Sequence, residues 1–214
     1  LPPVPGDVSA VVWRTHTMKL PSNEEIYEAH LFERLDPTKV LSRAYYQLLT
    51  ATARHFSFAD RSRPAAFVID EAYDVCSNKE NLVHIEHTVR QGRRPKALAF
   101  LGSHNPETDF GDGSLGALIP TRVAMRHQDE DLARASIRFL GFKEDDPQFN
   151  DLVEALRFDT SPVEGDTGVR PSRRGECFLR DLFGAVGPAK VLAPAMAERA
   201  ELLGTTPPKS VSAL

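Results

Sequence analysis

Two adjacent carboxylates, Asp70 and Glu71, end an apolar run that begins at Ala65. A run of this kind is typical of a strand buried in a parallel sheet, and open α/β sheets bind ligands at the carboxyl ends of such strands. Two acids at that place could organise Mg²⁺ and activate a water molecule. A strand that simply stops at a polar loop would leave the same pattern, so the interpretation needs support from other residues.

Further polar residues follow the next predicted elements along the chain. A predicted helix ends before Arg93-Arg94, and a second apolar run ends in Ser103-His104. Because right-handed crossovers bring the carboxyl ends of neighbouring parallel strands to one edge, Asp70, Glu71 and His104 can share a site. Arg93-Arg94 suggests a subunit boundary, where a guanidinium can stabilise transition-state charge. Each feature also has a purely structural explanation. His104 could be a loop histidine whose hydrogen bonds are made within the protein, and the arginines could complement the partial negative charge at the carboxyl end of a helix.

The phosphate-binding loop that would complete such a site is missing from the 214 residues. In P-loop ATPases a strand-end acid helps to hold Mg²⁺, and a glycine-rich loop ending in Gly-Lys-Ser/Thr holds the phosphates. Gly111–Gly116 has the glycines of a loop but lacks the lysine that should follow. The chain begins at Leu1 rather than Met, and we expect the phosphate loop to lie upstream in a longer ATPase.

Composition limits the class of protein. With 41% apolar residues, 26% charged residues and a net charge of −4, we expect one globular domain over residues 1–204 and a disordered tail over 205–214. The net negative charge argues against a protein that coats nucleic acid, but it does not exclude a local basic channel. Two widely separated cysteines indicate neither a metal site nor a disulfide framework, and a reducing cytoplasm fits them best.

The elements that must position these residues alternate between strands and helices, which indicates an α/β fold with a mostly parallel sheet, flanking helices and a C-terminal β-hairpin. Residues 105–110 and 160–174 are expected to be loops. Strands are predicted at 10–18, 65–69, 97–104 and 121–126, with hairpin strands at 176–181 and 188–193. Helices are predicted to start at Ser22 and to cover 38–56, 80–91, 115–119, 130–140, 148–156 and 195–203.

Four segments together resemble a known family: Ile69–Ala72, Gly92–Arg94, Ser103–Phe110 and Gly175–Asp181. Their order and spacing are similar to the RecA-like motor domain of type IV secretion and conjugation ATPases, over about residues 11–194. The resemblance is strongest to the inner-membrane-associated secretion ATPase of conjugative systems, in forms typical of actinobacteria. It implies a RecA-like sheet that is incomplete without an upstream P-loop segment.

The resemblance also implies roles for the strand-end residues. Asp70 would be the acid that organises Mg²⁺ and Glu71 would be the general base. His104 stands where the family usually has a glutamine that senses the γ-phosphate. An imidazole can donate or accept one hydrogen bond as that amide does, but its charge changes near neutral pH.

The resemblance assigns three arginines to nucleotide binding or catalysis. Arg93 matches the arginine finger that reaches a neighbouring subunit's nucleotide. Arg94 stands where the family often has lysine, so either of the two could be the finger. Arg180 lies in the terminal hairpin, close to the bound nucleotide.

The function implied by this resemblance is an ATP- and Mg²⁺-dependent motor, hexameric when complete, which powers transfer through a type IV secretion channel. Its expected partners are channel proteins and a DNA or nucleoprotein substrate. Its expected location is the cytoplasm, at the inner face of the membrane through those partners. The alternatives are a DNA-translocating ATPase of the FtsK or HerA type, and a non-catalytic docking module for secretion-channel proteins. Without the phosphate loop, the 214 residues alone are expected to be inactive.

Overall fold

The computed structural model describes residues 9–15, 17–76, 79–92, 96–110, 114–165 and 168–192. The predicted terminal helix, 195–203, and the predicted tail, 205–214, lie outside the described residues. The chain divides into two compact units, one formed by Leu1–His104 with Thr108–Leu118 and the other by Asn105–Glu107 with Ile119–Leu214. The assignment of residues 1–204 to one motor domain stays a prediction.

The first unit is built on two parallel strands, β1 (Ala65–Ile69) and β2 (Ala97–Leu101). Consecutive parallel strands need a crossover connection, which is usually helical, and two helices supply it here. The helices of this half of the chain are α1 (Asn23–Tyr27), α2 (Ala29–Phe32), α3 (Pro37–Ala59), α4 (Ala72–Cys76), α5 (Lys79–Gln91), α6 (Pro106–Asp109), whose residues are divided between the two units, and α7 (Ser114–Leu118).

Local capping signals determine where the first helices begin. The Glu25 amide donates to the Ser22 hydroxyl at 3.2 Å, and the Ser22 amide donates to the Glu25 carboxylate at 2.8 Å, so a capping box confirms the predicted helix start at Ser22. Helix α3 starts with Pro37, whose missing N–H costs nothing at the first position. The Asp36 carboxylate accepts from the Thr38 amide at 2.8 Å. The helices predicted over 38–56 and 80–91 are confirmed as α3 and α5.

The two faces of the β1–β2 sheet have different surroundings. Helix α3 contacts β1 and helix α5 contacts β2, and Ile69 and Ala97 are buried. On the opposite face the exposed fractions are 69% for Val68, 55% for Leu98 and 55% for Phe100. Parallel sheets are normally covered on both faces. The described part of the first unit covers only one of them.

The second unit contains an antiparallel sheet of three strands in the order β3-β4-β5. The predicted C-terminal hairpin is confirmed, since β4 and β5 pair antiparallel. Helix α8 contacts β3 and α9, and the helical turns after α9 have π geometry over residues 155–159. The elements are β3 (Arg122–Met125), α8 (Glu130–Leu140), α9 (Phe149–Glu154), β4 (Glu176–Arg180) and β5 (Val186–Lys190), and the buried core includes Ala124, Ala133, Ile137, Leu140, Phe149, Val153 and Leu156.

Helix α8 begins and ends at the predicted residues, 130 and 140. The Asp129 carboxylate accepts a hydrogen bond from the Leu132 amide at 3.0 Å, which satisfies one of the unpaired N–H groups of the first turn. The helix ends at Gly141, whose φ of +107° is poorly tolerated by other residues. The local caps therefore account for where this helix begins and ends.

Three predicted elements differ from the structure in kind or in pairing. The predicted strand over 10–18 is wrong, because residues 9–15 and 17–18 form no strand and Val12 is 85% exposed. The strand predicted over 121–126 forms as β3, but it pairs antiparallel with β4 and is not part of the parallel sheet. The loop predicted over 105–110 contains α6, since Pro106 suits a first helical turn.

Candidate active site

Asp70 and Glu71 directly follow β1 and are exposed. Alanine, phenylalanine, valine and isoleucine form the strand before them, and its last residue, Ile69, is buried. The backbone of Glu71 has a φ of +57°. This left-handed conformation favours glycine and costs other residues roughly 1–2 kcal/mol. The turn therefore presents a carboxylate at a strained position, which is typical of functional sites.

The end of β2 lies beside these carboxylates. Ile69 is opposite Leu101 in the parallel register. The Gly102 amide donates to the Ile69 carbonyl at 2.8 Å, and the Ala72 amide donates to the Gly102 carbonyl at 2.8 Å. An ideal Cβ on Gly102 would lie 3.2 Å from Oδ1 of Asp70, so glycine allows a close approach. The structure thus brings the turn of Asp70 and Glu71 next to the strand end that leads into His104.

A buried acid that sequence reasoning missed, Asp109, holds the turn after β2. Its Oδ2 accepts from the Ser103 hydroxyl at 2.8 Å and from the His104 amide at 3.0 Å. Its Oδ1 accepts from the Thr108 hydroxyl at 3.0 Å, and the residue is only 8% exposed. No regular helix or strand spacing joins Asp109 to the turn it holds. A pattern search on the sequence could not have found it.

The three strand-end side chains are available to a ligand. His104 is exposed, as are the two carboxylates. In the part of the chain that the structure describes, the side chains of Asp70, Glu71 and His104 make no hydrogen bond and no ion pair. A backbone held by the Asp109 carboxylate and by the strand register therefore presents two acids and an imidazole that have no partner among the described residues.

The surroundings of Asp70 suit a magnesium ion that is bound jointly by the protein and a substrate better than a metal ion that is bound by protein ligands alone. Within the described ranges, no group of three or more His, Cys, Asp or Glu residues could hold a metal ion. Mg²⁺ is often bound by one or two carboxylates together with substrate phosphates and water. A strand-end carboxylate with no partner among the described residues is suited to that mode, in which substrate phosphates and water supply the remaining ligands.

The three predicted arginines are not all placed by the structure. Arg93 and Arg94 lie outside the described residues. Arg180 ends β4 in the second unit, is half-buried, and lies opposite Arg122 in the β3–β4 register. The structure therefore brings Asp70, Glu71 and His104 to one sheet edge, whereas the roles of the arginines stay predictions.

None of the helices in the described ranges is long and apolar enough to cross a lipid bilayer. The two longest, α3 and α5, have 23 and 13 residues. Both are amphipathic, with one face against the parallel strands.

Comparison with known proteins gives one informative match. The sequence model for a family described as the AAA-like domain matches residues 5–198. The match includes β1, β2 and the terminal hairpin, and with them every residue of the candidate site. A comparison with curated proteins finds no significant match.

Proposed function

The chain belongs to the AAA-like domain family, and on that premise we propose that it is the catalytic part of a motor that hydrolyses ATP. The family occurs in type IV secretion ATPases and in FtsK- and HerA-like ATPases. The observation that carries the proposal is the placement of Asp70 and Glu71 beside the strand end that leads into His104. These polar side chains have no partner in the part of the chain that the structure describes, and they lie at the edge where an α/β sheet binds its ligand.

The proposed chemistry divides the work between the two acids. Asp70 helps to hold Mg²⁺, which neutralises charge on the phosphates when it is bound. Glu71 accepts a proton from the water that attacks the γ-phosphate, or orients that water. His104 donates a hydrogen bond to the terminal phosphate, and its backbone is fixed by Asp109. Loss of the γ-phosphate would remove the hydrogen-bond partner of His104, and this would couple hydrolysis to the conformation of the turn after β2.

The arginines complete the proposal. Arg93 or Arg94 acts as a finger toward the nucleotide of a neighbouring subunit, as the family resemblance implies, and Arg180 contributes to nucleotide binding. A planar guanidinium can contact a phosphate through two parallel hydrogen bonds. A finger supplied by a neighbour requires an oligomer, and a hexamer is the ring size that the resemblance implies.

The phosphate loop is proposed to come from sequence outside the 214 residues, which contain no Gly-Lys-Ser/Thr loop. Without its lysine and backbone amides, the β- and γ-phosphates lose their main ligands. We therefore propose that the complete protein hydrolyses ATP and that the 214 residues alone do not.

The proposed biological role is transfer of DNA or nucleoprotein through a type IV secretion channel, with the motor held at the inner face of the membrane by channel proteins. The family match supports a DNA-translocating motor of the FtsK or HerA type equally well. Hydrolysis stimulated strongly by double-stranded DNA would favour the translocase. Hydrolysis stimulated by secretion-channel proteins would favour the secretion motor. Binding of those proteins without ATP hydrolysis would favour the docking module.

The test of the catalytic proposal is Glu71→Gln in the complete protein. Removing the base while keeping the shape should lower kcat at least about 100-fold, within the range of general-base effects, while ATP binding is retained. Steady-state hydrolysis and equilibrium binding of a fluorescent ATP analogue measure the two quantities separately. Glu33→Gln is the matched control, because Glu33 is exposed and lies outside the site. Full turnover by the Glu71 variant would refute the assignment.

A further inference from the structure

A cavity of about 360 Å³ lies between helices α3 and α5 of the first unit. Pockets that bind small molecules have volumes of about 300–1,000 Å³, so a small organic molecule would fit. None of the residues around the cavity belongs to the candidate active site. The cavity is lined by Ala51, Arg54, His55, Phe58, Ala59 and His84.

The lining of this cavity combines an apolar part with a group of nitrogen donors. Phe58 and the two alanines form the apolar part, and the polar groups are Arg54, His55 and His84. Residues 51, 54, 55 and 58 recur at the spacing of one helix face, so a single face of α3 supplies both parts. A lining of this kind suits a molecule with an apolar body and a polar end.

The guanidinium of Arg54 has a neutral partner. Arg54 and His84 are half-buried, and Nη1 of Arg54 lies 3.3 Å from Nδ1 of His84. Because arginine has no acceptor, Nη1 donates to Nδ1, and this imidazole is neutral with its proton on Nε2. In the part of the chain that the structure describes, no carboxylate pairs with Arg54. A half-buried charge of this kind is normally paired with an opposite charge.

The surroundings of His84 are unfavourable to positive charge. Burial lowers the pKa of His84 below its ordinary value of 6.5, and the charges of Arg54 and His87 lower it further. The carboxyl end of α3 does not replace an anion, because a helix dipole acts within the last turn. Arg54 lies more than one turn before the last residue of α3, Ala59. The polar side of the cavity therefore favours an anion.

We propose that this cavity binds a small organic carboxylate, with the carboxylate at Arg54 and His84 and the apolar part of the molecule against Phe58. The planar fork of arginine matches a carboxylate through two parallel hydrogen bonds. A carboxylate is a stronger acceptor than a neutral imidazole, so it takes the place of Nδ1 of His84 as the acceptor for Arg54. The released imidazole can then take up a proton and donate to the same carboxylate.

The cavity favours a carboxylate over a phosphate. A single arginine supplies one permanent positive charge, which balances one carboxylate, and half of the lining residues are apolar. The proposal does not depend on ATP hydrolysis, because all of its residues lie in α3 and α5, away from the strand ends. It therefore adds a second ligand site to the first unit.

The test is a titration of the ¹⁵N-labelled 214-residue chain with 3-phenylpropionate, followed by NMR. We expect the Arg54 Nε–H signal and the ring nitrogens of His84 to shift and to saturate. The expected Kd is on the order of 1 mM, as is usual for a ligand of about 11 non-hydrogen atoms. The neutral 3-phenylpropionamide has the same shape and should bind at least about tenfold more weakly, because it lacks the charge.

Substitutions separate the arginine fork from its charge. Arg54→Gln should weaken binding of 3-phenylpropionate at least about tenfold. Arg54→Lys should weaken it about threefold, since lysine keeps the charge but not the fork. Arg34→Gln is the control and should bind as wild type does, because Arg34 is exposed in the same unit and does not line the cavity.

A thermal measurement guards against a folding defect in the variants. Ligand binding to the folded state raises the melting temperature. At the same concentration, 3-phenylpropionate should therefore stabilise the wild-type chain and Arg34→Gln, but not Arg54→Gln. Equal stabilisation of wild type and Arg54→Gln would contradict the assignment of Arg54.

The remaining outcomes separate the possible ligands. The absence of a saturable shift, or unchanged binding by Arg54→Gln, would overturn the proposal. Equal binding of the acid and the amide would overturn the role of charge, and tighter binding of inorganic phosphate would overturn the choice of a carboxylate. A peptide that ends in a phenylalanine carboxylate and binds more tightly would support the carboxylate site but overturn its assignment to a small molecule.

Discussion

Asp109 acts on the candidate site through the backbone. Its carboxylate is buried and accepts hydrogen bonds from two side chains and from the His104 amide. Hydrogen bonds to a charged acceptor are stronger than those between neutral groups. The position of the turn after β2, and of any phosphate sensor on it, therefore depends on one acid that need not touch the ligand.

Asp109→Asn should loosen this turn, because an amide nitrogen cannot accept the hydrogen bonds that Oδ2 now accepts. We expect a loss of about 2 kcal/mol in the free energy of unfolding. In the complete protein we expect kcat to fall about tenfold and KM for ATP to stay nearly unchanged. A tenfold fall corresponds to an activation free energy that is about 1.4 kcal/mol higher because a catalytic group is misplaced.

The matched control for Asp109→Asn is Asp146→Asn, which removes an acceptor from a turn in the second unit, where Oδ2 accepts from the Lys143 amide at 2.6 Å. Urea unfolding and steady-state kinetics measure the two effects. If both variants lowered kcat equally, Asp109 would have only a general structural role.

At the level of elements, an ion-pair network joins Glu107 in α6 to the end of α8. Arg138 donates from Nε to Glu107 Oε1 at 2.6 Å and from Nη2 to Oε2 at 2.7 Å, and its Nη1 donates to Glu144 at 2.6 Å. The hydrogen bonds from Arg138 hold the pKa of Glu107 below its ordinary value of 4.5, and they raise the pKa of Arg138. The pairs are partly exposed, so salt will screen them.

The Glu107 pair predicts a specific acid dependence of stability. Because the folded-state pKa of Glu107 is lowered, its contribution is complete above the ordinary value of 4.5 and is lost as the pH falls through the folded-state value. Glu107→Gln should therefore show a smaller decrease in melting temperature between about pH 6 and pH 3. Glu33→Gln should keep the wild-type decrease. A Glu107 variant with an unchanged pH profile would contradict the predicted coupling.

How far the sequence predicts each element depends on how local its determinants are. Helix α8 was predicted at both ends, because its caps Asp129 and Gly141 lie next to it. The strand-end acids were predicted in the same way, from an apolar run and the residues that follow it. The pairing of β3 with β4 was not predicted, because it joins residues more than fifty positions apart in the chain. Asp109 was missed for a similar reason, since its role depends on the path of a turn.

At the level of the whole molecule, the two cysteines provide one buried thiol in each unit. Cys76 is 2% exposed in the first unit and Cys177 is 4% exposed in the second. Burial, with a smaller contribution from the Asp109 carboxylate, raises the pKa of Cys76 to about 12. Burial also raises the pKa of Cys177. Because the thiolate is the reactive form, both residues should be inert while their units stay folded.

Thiol labelling should therefore report the opening of each unit separately. In Cys177→Ala only Cys76 can react, and in Cys76→Ala only Cys177 can react. At about pH 8 we expect iodoacetamide to label either folded variant at least about 100-fold more slowly than the urea-unfolded chain, because burial and a raised pKa both suppress the thiolate. Pulsed labelling with mass spectrometry measures both rates. Fast labelling without denaturant would show that the unit concerned opens readily.

The left-handed backbone of Glu71 has a consequence for how this position can change by mutation. Glutamate codons become glycine codons by a single base substitution, and glycine would remove the backbone strain of roughly 1–2 kcal/mol. If the carboxylate were no longer needed, a single base substitution would thus give glycine at this position, and that replacement would stabilise the fold. Under the proposed function, a glycine at this position in a natural variant would be the expected mark of a protein that has lost catalysis and kept its fold.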